Sequence, residues 1–244
     1  MNNFDVARIR TNYPSSVVVK NSTPVLFFGN ILDARIATLG INPSKNEFLD
    51  QTGTLLNGNN SRLETLVSLN VKSLNNLNIQ QGHKIYNGCL NYFSKCPYKK
   101  WFNQLENHIL TKSRLKVSYF NGTACHLDLV QWATDPIWRS VNNQLQNQLL
   151  KNDTSYLNSQ LSNYPIEVLL INGIGGLNYF KNYYSSALSL IRNTTLRTDD
   201  LSTNVYEYDL SLQSKIIKVY AWSSNLQSTK GLTNQMKGLI AGWI

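Results

Sequence analysis

The chain has 244 residues, 42% of them hydrophobic, enough to build the core of one large domain. Charged residues are only 15%, but 23 basic against 14 acidic side chains leave a net charge of +9, which points to an anionic partner, nucleic acid ahead of a membrane surface. No run of 18 apolar residues occurs and the opening "MNNFDVARIR" lacks an apolar signal core, so no membrane span is expected and the protein reads as cytoplasmic.

Residues 1–30 read as an irregular lead-in, with short extended pieces at "SSVVVK" and "PVLFFG". "ARIATLG" is the first buried strand, a continuous apolar run rather than an alternating one. It breaks at "GINPS". There Asn42 is either an Asx-turn residue before Pro43 or a polar group held beside a ligand, and Ser44 is either an N-cap or a phosphate contact. Apolar spacing at Leu63, Leu66, Val67 and Leu69 predicts a helix over 61–69, and two more follow in "QQGHKIYNGCLNYF" and "KKWFNQLENHIL". Lys99 and Lys100 read as a solvated helix start or as contacts to a nucleic-acid backbone. "TACHLDLVQWATDP" is the second strand, with His126 and Asp128 on one face. "NNQLQNQLLKN" and "TSYLNSQLSN" are helical connectors, and "EVLLING" is the third buried strand. "GIGG" then makes a tight turn into the helix "GLNYFKNYYSSAL"; without GxGxxG or a Walker lysine it is not a phosphate loop. "NVYEYDL" and "KIIKVYAW" form a late strand pair, and "TNQMKGLIAGWI" closes the chain as a helix. The cysteines, Cys89, Cys96 and Cys125, are odd in number and form no CxxC, so they read as buried, reduced thiols, with no metal site and no cofactor expected.

Strands alternate with helices, which predicts an α/β three-layer sandwich: a mostly parallel central sheet flanked by helices, one domain over 1–244. Right-handed crossovers put the carboxyl ends of parallel strands on one edge, where such sheets bind ligands. Three chemically unusual exits, "GINPS", "DLVQWATDP" and "WSSNLQS", are expected to meet there.

In these three segments, in this order, the chain resembles the uracil-DNA glycosylase superfamily, loosely over Arg35 to Ile244. The resemblance implies a monofunctional DNA glycosylase that flips a nucleotide from the stack and hydrolyses its glycosidic bond. Asn42 matches the residue that positions the attacking water, and as an amide it would orient water rather than deprotonate it. Gly40 and Ile41 would line the base pocket, and Pro43 and Ser44 would lie against DNA. "QTGTLLNG" matches a segment that carries a base-stacking aromatic in several branches; Leu56 stands there instead, and Phe48 is the alternative ring. Asp128 falls where many members read uracil with an Asn. A carboxylate only accepts hydrogen bonds, which suits the amino group of a cytosine-type base better than uracil. Gln131 would complete the pocket. In the last motif Trp222 replaces the family His, so Asn225 is the candidate donor to the leaving base. Ser223, Ser224, Ser228 and Lys230 would grip DNA, and Leu226 would wedge into the duplex. Some relatives excise modified bases from phage DNA. The expected partner is DNA, with no membrane, and the protein is expected to be a monomer. A DNA-binding protein that kept the fold and lost the chemistry is the alternative, and a small-nucleoside hydrolase is the third reading.

Overall fold

The computed structural model describes residues 1–95, 99–198, 201–213, 215–225 and 232–244. Among these, strands β1 (Ile36–Gly40), β2 (Ala124–Asp128), β3 (Val168–Asn172), β4 (Leu188–Arg197), β5 (Ser202–Leu212) and β6 (Lys215–Trp222) form one six-stranded sheet in the order β2-β1-β3-β6-β5-β4. The helices are α1 (Asn3–Ile9), α2 (Ile79–Leu90), α3 (Lys99–Leu105), α4 (Asn143–Asn163), α5 (Ile174–Tyr184) and α6 (Asn234–Trp243). The protein is therefore α/β.

The sheet's parallel part is β1, β3 and β6: Leu39 lies opposite Ile171, and Ile171 opposite Ala221. The continuous apolar runs of β1 and β3 suit this position, because both faces of a central parallel strand are covered, while β6 alternates buried and less buried residues. Ile36, Ala37, Leu39, Leu169, Leu170, Ile171, Val219 and Ala221 are all buried. Since the three strands run the same way, β1, β3 and β6 end at one edge. β5 returns antiparallel along β6, and β4 along β5.

The chain forms two compact units, Met1–Gly29 with Ile41–Pro97 and Leu127–Gln160, and Asn30–Gly40 with Tyr98–His126 and Leu161–Ile244. The core of the first is aromatic. Phe27 packs edge-on to Tyr86 at 5.2 Å and Phe28 to Tyr92 at 4.6 Å. The second unit is built on the sheet, and the buried Thr38 hydroxyl of β1 meets Tyr119 Oη at 2.5 Å and His126 Nδ1 of β2 at 2.7 Å. His126 is thus a buried histidine hydrogen-bonded to Thr38, with Phe102 edge-on at 5.2 Å.

Four local expectations change. The lead-in contains α1, whose Asn2 N–H donates to the Asp5 carboxylate at 2.8 Å. "SSVVVK" and "PVLFFG" contribute single bridges and backbone bonds, Val18 with Thr134 and Val25 N to Gln131 O, rather than strands. Residues 61–69 form turns, not a helix. There the Thr65 N–H donates to Ser68 Oγ and the Ser68 N–H to Thr65 Oγ1, at 2.9 and 3.0 Å, so local side chains take the bonds a helix would use. The two polar connectors are one helix, α4. Among the described residues no helix is long and apolar enough to cross a membrane.

Candidate functional site

β1 ends at Gly40, which keeps an ordinary φ; the positive-φ glycines lie elsewhere. The next residue, Ile41, accepts from Val130 N–H at 2.9 Å, joining the two strand exits by their backbones. Asn42 follows, half-buried. Its Nδ2 lies 3.1 Å from Pro43 O, 3.2 Å from Trp132 O and 3.2 Å from Thr134 Oγ1. Two of these partners are carbonyls, which only accept, so the group facing them is the NH2 and not the oxygen. The carbonyl Oδ1 takes no part in these bonds. Pro43 is buried, and Ser44 is an exposed N-cap accepting from Asn46 N–H at 3.2 Å. Lys45 then reaches Asp135 at 2.8 Å in a half-exposed pair.

The three-residue turn Lys45–Glu47 carries a residue that the sequence reading passed over. Glu47 is 3% exposed and accepts from Tyr92 Oη at 2.8 Å; Arg62 stands 3.8 Å off. Burial above all, opposed by Tyr92 and Arg62 and reinforced by the nearby Asp128 carboxylate, pushes the Glu47 carboxyl up from 4.5 to about 7. Burial likewise raises the Tyr92 phenol, with the Glu47 charge next in size. The Ser44-x-x-Glu47 spacing is that of a capping box, which directs attention to the surface. Here the glutamate turns inward instead.

Asp128, the last residue of β2, is buried beside this pair. Gln131 has no exposed surface; its Nε2 donates to Asp128 O at 2.8 Å, and its backbone N–H donates to Asp153 at 2.8 Å. Phe48 is fully buried as well, and its carbonyl accepts from the N–H of the half-buried Leu56 at 2.8 Å. Phe48 and Gln131 therefore serve as packing and loop support in this state, not as exposed pocket wall. Asp153 pairs with Arg8 at 2.7 Å, and the Arg8 guanidinium lies 5.1 Å from the Trp132 ring.

In the second unit the exit of β6 is equally committed. Trp222 is fully buried, and its Nε1–H donates to Asn172 Oδ1 at 2.8 Å. An indole only donates, so Asn172 must turn its Nδ2 outward; that group donates to Asn225 Oδ1 at 3.2 Å. Asn225 is exposed. Ser223 Oγ accepts from Asn204 N–H at 3.0 Å and meets Thr203 Oγ1 at 3.1 Å, and Ser224 N–H donates to Thr203 Oγ1 at 3.1 Å. The hydroxyl of Ser223 thus anchors β6 to β5. Leu226, Ser228 and Lys230 lie outside the described residues. Of the cysteines, Cys89 and Cys125 are free and buried, with burial pushing Cys89 up to about 11; Cys96 lies outside the described residues. Among the described residues, no three His, Cys, Asp or Glu side chains gather in a way that could hold a metal ion.

No protein-family model matches the chain, and no curated protein matches it significantly.

Proposed function

We propose that this protein is a monofunctional DNA glycosylase, with the three-layer fold of the uracil-DNA glycosylase kind. Water would add its oxygen to C1′ of a flipped nucleotide while the base departs with the electrons of the C1′–N bond, and the proton that water loses passes to the departing base or to solvent, leaving an abasic site. The transition state is close to an oxocarbenium ion, so a weakly activated water suffices if it is held in place. The observation that carries this reading is the Asn42 amide: its nitrogen is held by three acceptors, which leaves Oδ1 as the atom that can accept a hydrogen bond from water. The net charge of +9 supports a polyanionic substrate. The Asp128 carboxylate suits a cytosine-derived base, whose amino group donates, and such bases occur as modifications in phage DNA.

Abasic-site release from DNAs containing uracil, hypoxanthine, mismatches or modified cytosines tests the reading. Wild type should generate alkali-labile sites on at least one substrate, and Asn42→Ala should lower that rate about 100-fold or more with DNA affinity kept. Asp128→Asn should shift preference toward uracil. Activity that survives Asn42→Ala unchanged removes the assignment. A DNA-binding protein without catalysis is the second reading, favoured by one observation. Trp222 stands where the family His would be and spends its only donor on Asn172 inside the fold. That reading expects salt-sensitive DNA binding and no abasic sites on any substrate.

A further inference from the structure

We propose that residue 42 works as a neutral hydrogen-bonding group, and that Thr134 is the positioning residue which, with the Trp132 carbonyl, decides which way the Asn42 amide faces. The inference rests on the reading of Asn42 as the water-orienting group and adds a specific device to it.

The argument begins with the acceptors. Trp132 O and Thr134 Oγ1 come from one segment and approach Asn42 Nδ2 at 3.2 Å each; Pro43 O approaches at 3.1 Å. Three lone-pair donors converge on one position. An NH2 group shares its two protons among them, whereas a carboxylate oxygen there would face two carbonyls that only accept, with the Thr134 hydroxyl alone able to donate. The segment itself has little freedom. Ala133 O accepts from Val19 N–H at 3.0 Å and Asp135 N–H donates to Val17 O at 2.8 Å, so residues on both sides of Thr134 are tied to a second stretch of backbone. Thr134 and Trp132 are buried, at 1% and 0% exposure. Held this way, the amide cannot flip without placing Oδ1 against two carbonyls. The consequence concerns mechanism: water is aligned by a fixed neutral acceptor, and the charged form of an Asp at this position is disfavoured by the two facing carbonyls.

The consequence for Asn42→Asp has a definite sign. An aspartate facing these acceptors has its folded-state pKa raised above the ordinary value near 3.9. Its favourable, protonated form is present at low pH and is lost as pH rises through that raised value. The melting temperature of Asn42→Asp should therefore match wild type near pH 4 and fall below it by roughly 3–8 °C at pH 7. Thr134→Val keeps the side-chain shape and deletes one acceptor; Thr134→Ser keeps the acceptor.

Nuclear magnetic resonance of the side-chain amide and single-turnover base release make the test together. The Asn42 NH2 signal, identified by its loss in Asn42→Asp, should exchange with solvent about tenfold more slowly than exposed Asn amides, lose that protection in Thr134→Val and keep it in Thr134→Ser. On an active substrate, Thr134→Val should slow base release about tenfold with DNA affinity unchanged, and Thr134→Ser should restore it. Asn42→Asp should be least active at neutral pH and gain activity as pH falls. An unprotected amide that ignores Thr134→Val, or an Asn42→Asp variant whose melting follows wild type at every pH, overturns the proposal. Intact amide and melting responses in a protein that releases no base from any DNA would keep the clamp and remove the glycosylase reading instead.

Discussion

Glu47 is the residue whose chemistry departs most from what its neighbours in the chain suggest. Its carboxyl sits near pH 7 because it is buried, with one phenol donor and a guanidinium at 3.8 Å that only partly offset the desolvation. A folded-state value above the unfolded one means that the proton is held more tightly in the native protein. Stability from this group is complete below pH 4.5 and is lost as pH rises through about 7. Glu47→Gln keeps an acceptor for Tyr92 and removes the charge. Urea unfolding should therefore show wild-type stability dropping by on the order of 2–4 kcal/mol between acid and mildly alkaline pH, with a visibly shallower drop in Glu47→Gln. Equal slopes for both proteins would show that Glu47 is already ionised at neutral pH.

At the scale of elements, the turn from β3 into α5 is set by Gly173. Its φ is +97°, a conformation that costs little only for glycine, and a Cβ there would come within 3.3 Å of the Asn225 Cβ. The same turn takes two backbone bonds across the sheet edge, Gly173 N–H to Trp222 O and Ile174 N–H to Ser223 O, both 3.0 Å. Gly173→Ala should destabilise the protein by about 1–3 kcal/mol and displace the Asn225 end of β6, since strain and crowding act at one point. Thermal unfolding measures the first effect; on the proposed reading, loss of DNA affinity would follow the second. β4 is the strand that sequence reasoning left out. Seven of its ten residues are exposed, so neither an apolar run nor clean alternation marks it. Pairing with β5 defines it, and that pairing is a contact between segments.

For the whole molecule, the relevant quantity is charge. A protein of net charge +9 that holds DNA through several phosphate contacts releases counterions on binding, so its affinity should fall about tenfold or more between roughly 50 and 200 mM salt. Fluorescence anisotropy with a short labelled duplex measures this; a salt-independent dissociation constant would remove DNA as the partner.

The continuous apolar runs determined β1 and β3 from sequence alone, because a strand buried on both faces needs apolar side chains at nearly every position, whereas β6 buries alternate residues. The break at "GINPS" likewise identified Asn42, since Gly and Asn-Pro constrain the backbone wherever they occur. The tertiary structure decided what those residues face. Whether Asn42 points its nitrogen or its oxygen outward depends on the Trp132 carbonyl, 90 residues further along, and the inward turn of Glu47 depends on Tyr92, 45 residues away. Local spacing encodes which conformations a segment can adopt, whereas the protonation and orientation of a polar group follow from partners that only folding brings within hydrogen-bond reach.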